Sequence, residues 1–138
     1  MDWFLQEASK HFELILFTAA EKRYAELILS EIDPNGEYFS FKHFRDSCTI
    51  IKGLYFKDLA RLRRNLGRIL IVDDTPGVYG LLPANGIKIN QWIGNDLEDN
   101  KLSYLLSLLQ KIEQSPDVRF YLFEHNIQAA YEPDFRSY

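Results

Sequence analysis

Apolar residues along this 138-residue chain fall into short continuous runs and into stretches with helical spacing. The run from Ile69 to Val72 holds four apolar residues, which is typical of a strand buried on both faces in a parallel sheet. Two shorter runs, Leu14–Phe17 and Ile87–Ile89, predict further strands. Because helical patterns separate these runs, we expect a three-layer α/β fold with a mainly parallel sheet.

Four stretches carry apolar residues at helical spacing, namely 1–12, 19–30, 57–66 and 99–114. In the second stretch we expect Tyr24, Leu27 and Ile28 to form the buried face, and Gly67 is expected to end the third. Residues 37–57 alternate aromatic, polar and β-branched side chains, which favours short strands or a hairpin around Asp46-Ser47, with a second turn at Gly53. Residues 118–123 predict a last strand or the start of a helix.

The composition indicates one globular domain over residues 1–138, since 46% of the residues are hydrophobic and no low-complexity tract occurs. The single cysteine, Cys48, excludes an internal disulfide and fits a reducing compartment. No apolar run approaches the length of a membrane span, and the first residues form an amphipathic stretch rather than a signal peptide. We therefore expect an intracellular protein, nuclear or cytoplasmic.

Charge is distributed unevenly along the chain. The net charge is −4, but the segment from Lys42 to Arg68 carries +6 and the remainder carries −10. A basic segment in an acidic protein attracts phosphate groups, although the same residues also suit the solvated face of a helix.

The Ile69–Val72 run ends in two adjacent carboxylates, Asp73 and Asp74. In open α/β sheets, ligands bind beyond the carboxyl ends of the strands, where this pair is expected to lie. Neighbouring carboxylates repel one another unless a cation joins them, and Mg²⁺ is a hard cation that takes oxygen ligands. The alternative is a strand end capped and turned by aspartate.

Two further residues stand at element ends. Thr18 follows a strand, and Thr18-Ala19-Ala20-Glu21 has the pattern of a capping box, although the same hydroxyl and helix start also suit a phosphate group. Lys57 begins a predicted helix, where a cation is unfavourable against the helix dipole. A hydroxyl, an ammonium and a carboxylate pair together suit phosphoryl transfer. A receiver domain of two-component signalling uses similar groups in a different chain order, which excludes that reading.

The order Thr18, Lys57, Asp73-Asp74 resembles that of the haloacid dehalogenase superfamily. Within it, several ordered motifs are similar to those of phosphatases that act on the RNA polymerase II carboxy-terminal domain (CTD), including the small CTD phosphatases and their Dullard-type relatives. This similarity covers residues from about 3 to 123. The motifs are Phe4-Leu5-Gln6, Leu16-Phe17-Thr18-Ala19, Phe44-Arg45-Asp46-Ser47-Cys48, Tyr55-Phe56-Lys57-Asp58-Leu59, Ile71-Val72-Asp73-Asp74-Thr75-Pro76 and Asn90-Gln91-Trp92-Ile93.

The resemblance implies a Mg²⁺-dependent phosphoserine/phosphothreonine protein phosphatase domain. It assigns Thr18 to binding of the transferring phosphoryl group and Lys57 to neutralising it and orienting the nucleophile. Asp73 and Asp74 match the metal motif, in which the second position, Asp74, is the direct Mg²⁺ ligand. Arg45 matches an arginine near the substrate peptide. The implied partner is a phosphoprotein or phosphopeptide, with no direct nucleic-acid contact.

One family element is not found. The family nucleophile and its acid/base lie in an Asp-x-Asp-x-Thr/Val motif after an early strand. Asp73-Asp74-Thr75 has the wrong spacing, and Asp96–Asp99 lies in acidic loop sequence without a preceding strand. The resemblance therefore implies a domain truncated at its amino terminus and inactive as given, with its first catalytic strand missing beside Ile69–Val72.

An unpaired sheet edge of that kind predicts self-association. Three explanations for the missing motif stay open: a truncated phosphatase, a pseudophosphatase kept for binding, or a strand supplied by a separate polypeptide. The second would be a noncatalytic interaction module, similar to the mitochondrial inner-membrane translocase subunit that shares this domain.

Overall fold

The structure is a computed structural model that describes residues 2–73, 82–88 and 97–125. Within these ranges, helices and strands alternate along the chain, which confirms the α/β class. The α-helices are α1 (Asp2–His11), α2 (Lys22–Ile32), α3 (Leu97–Glu113) and α4 (Val118–Glu124). The strands are β1 (Leu14–Phe17), β2 (Phe39–His43), β3 (Thr49–Ile51), β4 (Leu54–Phe56), β5 (Ile71–Asp73) and β6 (Gly86–Lys88). Short 3₁₀ turns lie at Arg45–Ser47, Leu59–Leu62, Leu66–Arg68 and Pro83–Asn85.

The strands form three pairs. β1 runs parallel to β2, and β5 runs parallel to β6, while β3 and β4 form an antiparallel hairpin. The two parallel pairs each require a crossover connection, which α2 provides between β1 and β2. The expectation of a mainly parallel sheet is confirmed. Over the described ranges no strand ladder joins β1 to β5.

The side chains of strand β1 are less buried than its apolar sequence predicts. All four of its residues, Leu14–Phe17, are only half-buried, although a run of this kind is typical of a central strand. Near its start, Glu13 accepts a hydrogen bond of 2.6 Å from the guanidinium of Arg64, a residue close before β5 in the chain. This hydrogen bond also raises the pKa of Arg64. The contact of the Arg64 side chain with Glu13 therefore links the start of β1 to the segment that precedes β5.

The main core lies between β5, β6 and the last two helices. Ile71 in β5 is buried with Leu59 on one side, and its neighbours Leu70 and Val72 pack on the other. The prediction of a strand covered on both faces is therefore confirmed, although the strand begins at Ile71 and includes the carboxylate residue Asp73. The cluster beneath Leu70 and Val72 consists of Ile87, Leu108, Ile112, Val118 and Leu122.

The prediction for the face of α2 is wrong. The helix begins at Lys22 rather than at residue 19, and it buries Ala25 and Leu29. The residues expected inside, Tyr24, Leu27 and Ile28, are 54%, 67% and 59% exposed. Apolar residues occupy neighbouring positions around this helix, so their spacing alone does not select the face that packs.

The prediction of a helix over residues 57–66 is also wrong. Two 3₁₀ turns replace it, because the side chains of Asp58 and Asn65 accept the backbone N–H groups of Ala60 and Gly67. Arg63 ends the first turn with a left-handed backbone, φ 56°. Gly67 lies inside the second turn and does not end a helix.

In the segment 37–57, one predicted turn is right and one is wrong. Lys52-Gly53 forms the hairpin turn, with positive φ at both residues. Asp46-Ser47 lies in a 3₁₀ turn instead, because β2 pairs with β1 rather than with β3. Asp74 and the motif at residues 90–93 lie outside the described residues. No helix in the described ranges has the length and apolar character needed to cross a bilayer.

Asp117 is the N-cap of α4 and is tied to Arg119. Its carboxylate accepts the Arg119 backbone N–H at 2.9 Å and pairs with the Arg119 guanidinium at 2.7 Å. The hydrogen bond from the Arg119 side chain is the main cause that lowers the pKa of Asp117 from 3.8 to about 2. Because the folded pKa lies below the ordinary value, the ionised carboxylate stabilises the fold above about pH 4, and this contribution is lost as the pH falls towards 2.

We expect Asp117→Asn to lower the free energy of unfolding at pH 7 by weakening the contact with Arg119, while asparagine still caps α4. The difference from the wild type should shrink between about pH 4 and pH 2, as Asp117 itself becomes protonated. Urea denaturation followed by circular dichroism at several pH values measures this. A difference that stays constant from pH 7 to pH 2 would contradict the assigned ionisation.

Candidate functional site

Thr18 lies in a tight turn directly after β1. Its backbone N–H donates to the carbonyl of His43 in β2 at 2.9 Å. Its hydroxyl accepts the N–H of Ala20 at 3.1 Å, which closes a local turn. The predicted capping box is wrong, because α2 begins four residues later and its N-cap, Glu21, makes no side-chain capping bond. A hydroxyl that accepts one hydrogen bond still has a proton to donate.

Arg45 contacts this turn through both its backbone and its side chain. Its backbone N–H donates to the carbonyl of Ala20 at 3.1 Å, and its Nε donates to the carbonyl of Ala19 at 2.7 Å. Its guanidinium lies 3.5 Å from Glu21 and 5.0 Å from the centre of the Tyr55 ring. The side chain is 43% exposed, so a positive charge remains accessible beside the turn.

Cys48 lies between the turn and the following loops. Its side chain is buried, and its Sγ lies 3.9 Å from the carbonyls of Thr18 and Phe44. Burial raises the pKa of the Cys48 thiol, while the nearby charges of Lys57 and Arg45 oppose that rise. The thiol is therefore a small buried group close to both cations.

Lys57 and Asp73 form a close ion pair at the carboxyl end of β5. The ammonium lies 2.5 Å from Oδ2 of Asp73, and each side chain is 10% exposed. Lys57 follows β4, and Asp73 is the last residue of β5, so the pair joins the hairpin to the core strand. A buried charge pair of this kind needs close geometry, since each ion has lost most of its water.

The structure thus places four of the five predicted residues around one region. Thr18 and Arg45 contact the same turn, and Lys57 contacts Asp73. The positive charges of both cations act on Cys48, where they oppose the rise in pKa that burial causes. Asp74 lies outside the described residues. A hydroxyl, a guanidinium and an ammonium arranged in this way offer hydrogen bonds and positive charge to a phosphate group.

Among the described residues of this region, the carboxylate of Asp73 is a suitable ligand for a hard cation such as Mg²⁺, but it cannot hold one alone. Asp73 offers carboxylate oxygen, the ligand type that Mg²⁺ prefers. Within the described ranges, no group of three or more His, Cys, Asp or Glu residues is placed to hold a metal ion. Mg²⁺ commonly takes one or two carboxylates and completes its octahedron with water and phosphate oxygens, so a pair of aspartates is chemically sufficient.

Sequence reasoning missed two contributors to this region. The capping-box pattern places the Glu21 side chain against the start of the helix, yet Glu21 pairs with Arg45 and Arg23. Tyr55, which the sequence indicates only as part of a family motif, lies under the Arg45 guanidinium. The alternating pattern of residues 37–57 marks Tyr55 as a strand residue, but nothing in it identifies which cation the ring contacts.

Comparison with known proteins supplies the family. The model of the NLI interacting factor-like phosphatase family matches residues 1–119. A probable C-terminal domain small phosphatase of Dictyostelium discoideum is 40% identical over 124 residues, which cover 90% of this chain and 40% of that protein. The human carboxy-terminal domain RNA polymerase II polypeptide A small phosphatase 1 is 37% identical over 118 residues, covering 86% and 44%.

A relative at lower identity bears a different kind of name. The mitochondrial import inner membrane translocase subunit TIM50 of Kluyveromyces lactis is 33% identical over 121 residues, covering 86% of this chain and 25% of that protein. The chain therefore spans less than half the length of the relatives named here.

A solved structure, that of Fcp1, an essential RNA polymerase II CTD phosphatase, matches with a TM-score of 0.56 and 25% identity. It covers 82% of this chain and 34% of that one. The chain therefore belongs to the NLI interacting factor-like phosphatase family and carries a CTD phosphatase-type domain with an α/β fold of the haloacid dehalogenase kind.

Proposed function

We propose that this chain is the carboxy-terminal part of the catalytic domain of a Mg²⁺-dependent phosphoserine/phosphothreonine protein phosphatase. The observation that carries the proposal is the ion pair of Lys57 with Asp73, 2.5 Å apart and 10% exposed on each side. A lysine held by the last aspartate of a buried strand, with a second aspartate next in the sequence, suits binding of a phosphoryl group together with a metal ion.

Lys57 and Thr18 have the hydrogen-bonding capacity that this role needs. An ammonium has three N–H donors, so Lys57 can donate to phosphate oxygens while Asp73 fixes its position. The Thr18 hydroxyl accepts from Ala20, which leaves its own proton for a phosphate oxygen. Arg45, with its exposed guanidinium, would contact the substrate peptide beside the phosphate.

We assign the direct metal contact to Asp74. Asp73 is already engaged by Lys57, and Asp74 is the carboxylate that follows it in the sequence. Mg²⁺, when bound there with water ligands, would neutralise charge on the phosphoryl oxygens. In this assignment Asp73 acts mainly as a positioning residue for Lys57.

The nucleophile would come from a strand placed between β1 and β5. Half-buried β1 and the lack of a ladder from β1 to β5 in the described ranges support such a place. An Asp-x-Asp pair on that strand would attack the phosphorus with its first carboxylate, and its second would protonate the departing serine or threonine oxygen. Water would then hydrolyse the aspartyl phosphate, and a segment of the whole protein or a second polypeptide would supply the strand.

A noncatalytic interaction module is the second candidate function. Residues 1–138 contain no Asp-x-Asp sequence, and one relative bears the name of a translocase subunit. A chain that only binds has no chemical need for Lys57, Asp73, Asp74 and Thr18 together, so we favour the phosphatase. An intracellular location is part of the same proposal.

One prediction of this proposal concerns catalytic turnover. When an Asp-x-Asp strand is joined ahead of residue 1, the protein should hydrolyse an aryl phosphate in the presence of Mg²⁺ and lose this activity with a chelator. Lys57→Ala and Asp74→Ala should each lower kcat/KM by at least about a hundredfold, because each removes a charge that faces the transition state. Release of the phenolate, followed by absorbance, measures the rate.

Lys10→Ala is the matched control, since Lys10 is an exposed lysine in α1 that pairs with Glu7 and should leave the rate unchanged. Full activity in either site variant would contradict the residue assignment. Chelator-sensitive turnover by residues 1–138 alone would show that another acid of this chain is the nucleophile. No turnover by the completed protein would favour the interaction module.

Another prediction concerns the contribution of the ion pair between Lys57 and Asp73 to the free energy of unfolding. Lys57→Met should lower the free energy of unfolding by about 3 kcal/mol, because it leaves the Asp73 carboxylate buried without its cation. Lys57→Met combined with Asp73→Asn should cost less than the sum of the two single changes. Urea denaturation of the four proteins measures this coupling. Strictly additive losses would show that the two side chains do not interact.

A further inference from the structure

Helix α2 directs an apolar surface to solvent. Tyr24, Leu27 and Ile28 are each more than half exposed, although their spacing of three and four residues is that of a packed helix face. We propose that this surface binds the same surface of a second copy of this chain, with the two α2 helices antiparallel and Leu27 at the centre. We call it the α2 face and define it by Arg23, Tyr24, Leu27, Ile28 and Glu31. The proposal is independent of the proposed function.

The α2 face is complementary to itself in charge. Arg23, Leu27 and Glu31 lie four residues apart, so they form one row along the helix. Leu27 is the midpoint of this row, and the two opposite charges each lie roughly 6 Å from it along the helix axis. A two-fold axis beside Leu27 therefore places Arg23 of each copy next to Glu31 of the other. In a parallel pair with the same register, like charges would meet instead.

The charges at the ends of α2 are the reverse of those that a helix dipole favours. Lys22 and Arg23 lie in the first turn and Glu31 lies in the last, while the first turn holds no acidic residue and the last turn no basic one. Cations near the start of a helix and anions near its end are unfavourable when the helix is isolated. An antiparallel partner helix supplies the opposite charge at each end. The reversed charges therefore favour a second copy over an unrelated ligand.

The Arg23 side chain is positioned for an intermolecular ion pair. Its guanidinium lies 4.7 Å from the centre of the Tyr24 ring and donates to the Tyr24 hydroxyl at 3.1 Å, and its Nε lies 3.3 Å from Glu21. The side chain is still 74% exposed, and a guanidinium has five N–H donors, so several remain for a carboxylate of the partner copy. Because Tyr24 and Glu21 already restrict this side chain, the ion pair costs less conformational entropy.

The apolar residues provide the rest of the interface. In an antiparallel pair related by a two-fold axis, Tyr24 and Ile28 of both copies lie on the same side of the two leucines. Tyr24 of one copy then lies across from Ile28 of the other. Burial of these side chains supplies most of the binding energy, and the ion pairs fix the orientation. A contact limited to one helix face is small, so we expect a weak dimer with Kd on the order of tens of micromolar.

Sedimentation velocity of the 138-residue chain tests the proposal. The wild type should form dimers as its concentration rises from about 10 μM to about 500 μM. Arg23→Glu and Glu31→Arg should each raise Kd at least about tenfold, because each change creates two like-charge contacts across the two-fold axis. The variant that carries both changes should dimerise like the wild type. An equal mixture of the two single variants should also dimerise, since every charged contact in the mixed dimer is again between opposite charges.

The controls separate loss of the interface from loss of the fold. Each single charge change gives its end of α2 the sign of charge that the helix dipole favours, so a weakened helix would not explain loss of the dimer. Circular dichroism and urea midpoints at low protein concentration check that the variants fold. Leu27→Ser should abolish the dimer, whereas Phe120→Ser should retain it. Leu27 and Phe120 are 67% and 66% exposed and lie on different helices, which makes them a matched pair.

Four outcomes would overturn the proposal. The first is a monomer at every concentration. The second is a dimer that neither charge change affects, because it would then use another surface, such as an open sheet edge. The third is weakening by both single changes without rescue in the combined variant and in the mixture, which would exclude the antiparallel arrangement. The fourth is an equal effect of Leu27→Ser and Phe120→Ser, which would exclude a specific role for the α2 face.

Discussion

The contact between Lys57 and Asp73 is the interaction on which the candidate site depends. Both charges have left most of their water, and each is compensated by the other at 2.5 Å. Asp73 belongs to β5, whose neighbouring residues pack against helices on one side and against Leu59 on the other. The position of the ammonium is therefore set by the hydrophobic core, even though the lysine itself follows a two-stranded hairpin.

The rest of the site is held by contacts to backbone atoms. Arg45 donates to the carbonyls of the turn after β1, and that turn is closed by Thr18 and tied to β2 through His43. These contacts depend on the path of the chain rather than on particular side chains at residues 19 and 20. Residues from distant parts of the sequence are thus positioned by two separate elements, the strand pair β1–β2 and the strand β5.

Much of this arrangement could be predicted from the sequence. The first strand and the helices α1 and α3 were located to within about two residues, because their apolar spacing is clear. The order of Thr18, Lys57 and the aspartate pair indicated a family that the comparisons then showed. These signals are local, or depend only on order along the chain.

The errors arose where non-local or side-chain contacts decide the structure. Apolar residues at 24, 27, 28 and 29 occupy a wide arc of the surface of α2, so the buried face depends on what packs against the helix. The leucine spacing of residues 59–66 suits a helix, but the side chains of Asp58 and Asn65 compete for backbone N–H groups and shorten it. The pairing of β2 with β1 depends on a crossover through α2, which no local pattern shows.

Buried Cys48 has a consequence for how such a site behaves under oxidation. Thiols react with peroxide and alkylating reagents as thiolates, and burial keeps this one protonated and shielded. The proposed chemistry uses carboxylates and a metal ion instead of sulfur. Oxidants that inactivate cysteine-dependent enzymes would therefore act slowly on the covered Cys48 thiol, and the proposed chemistry would not depend on the oxidation state of that sulfur.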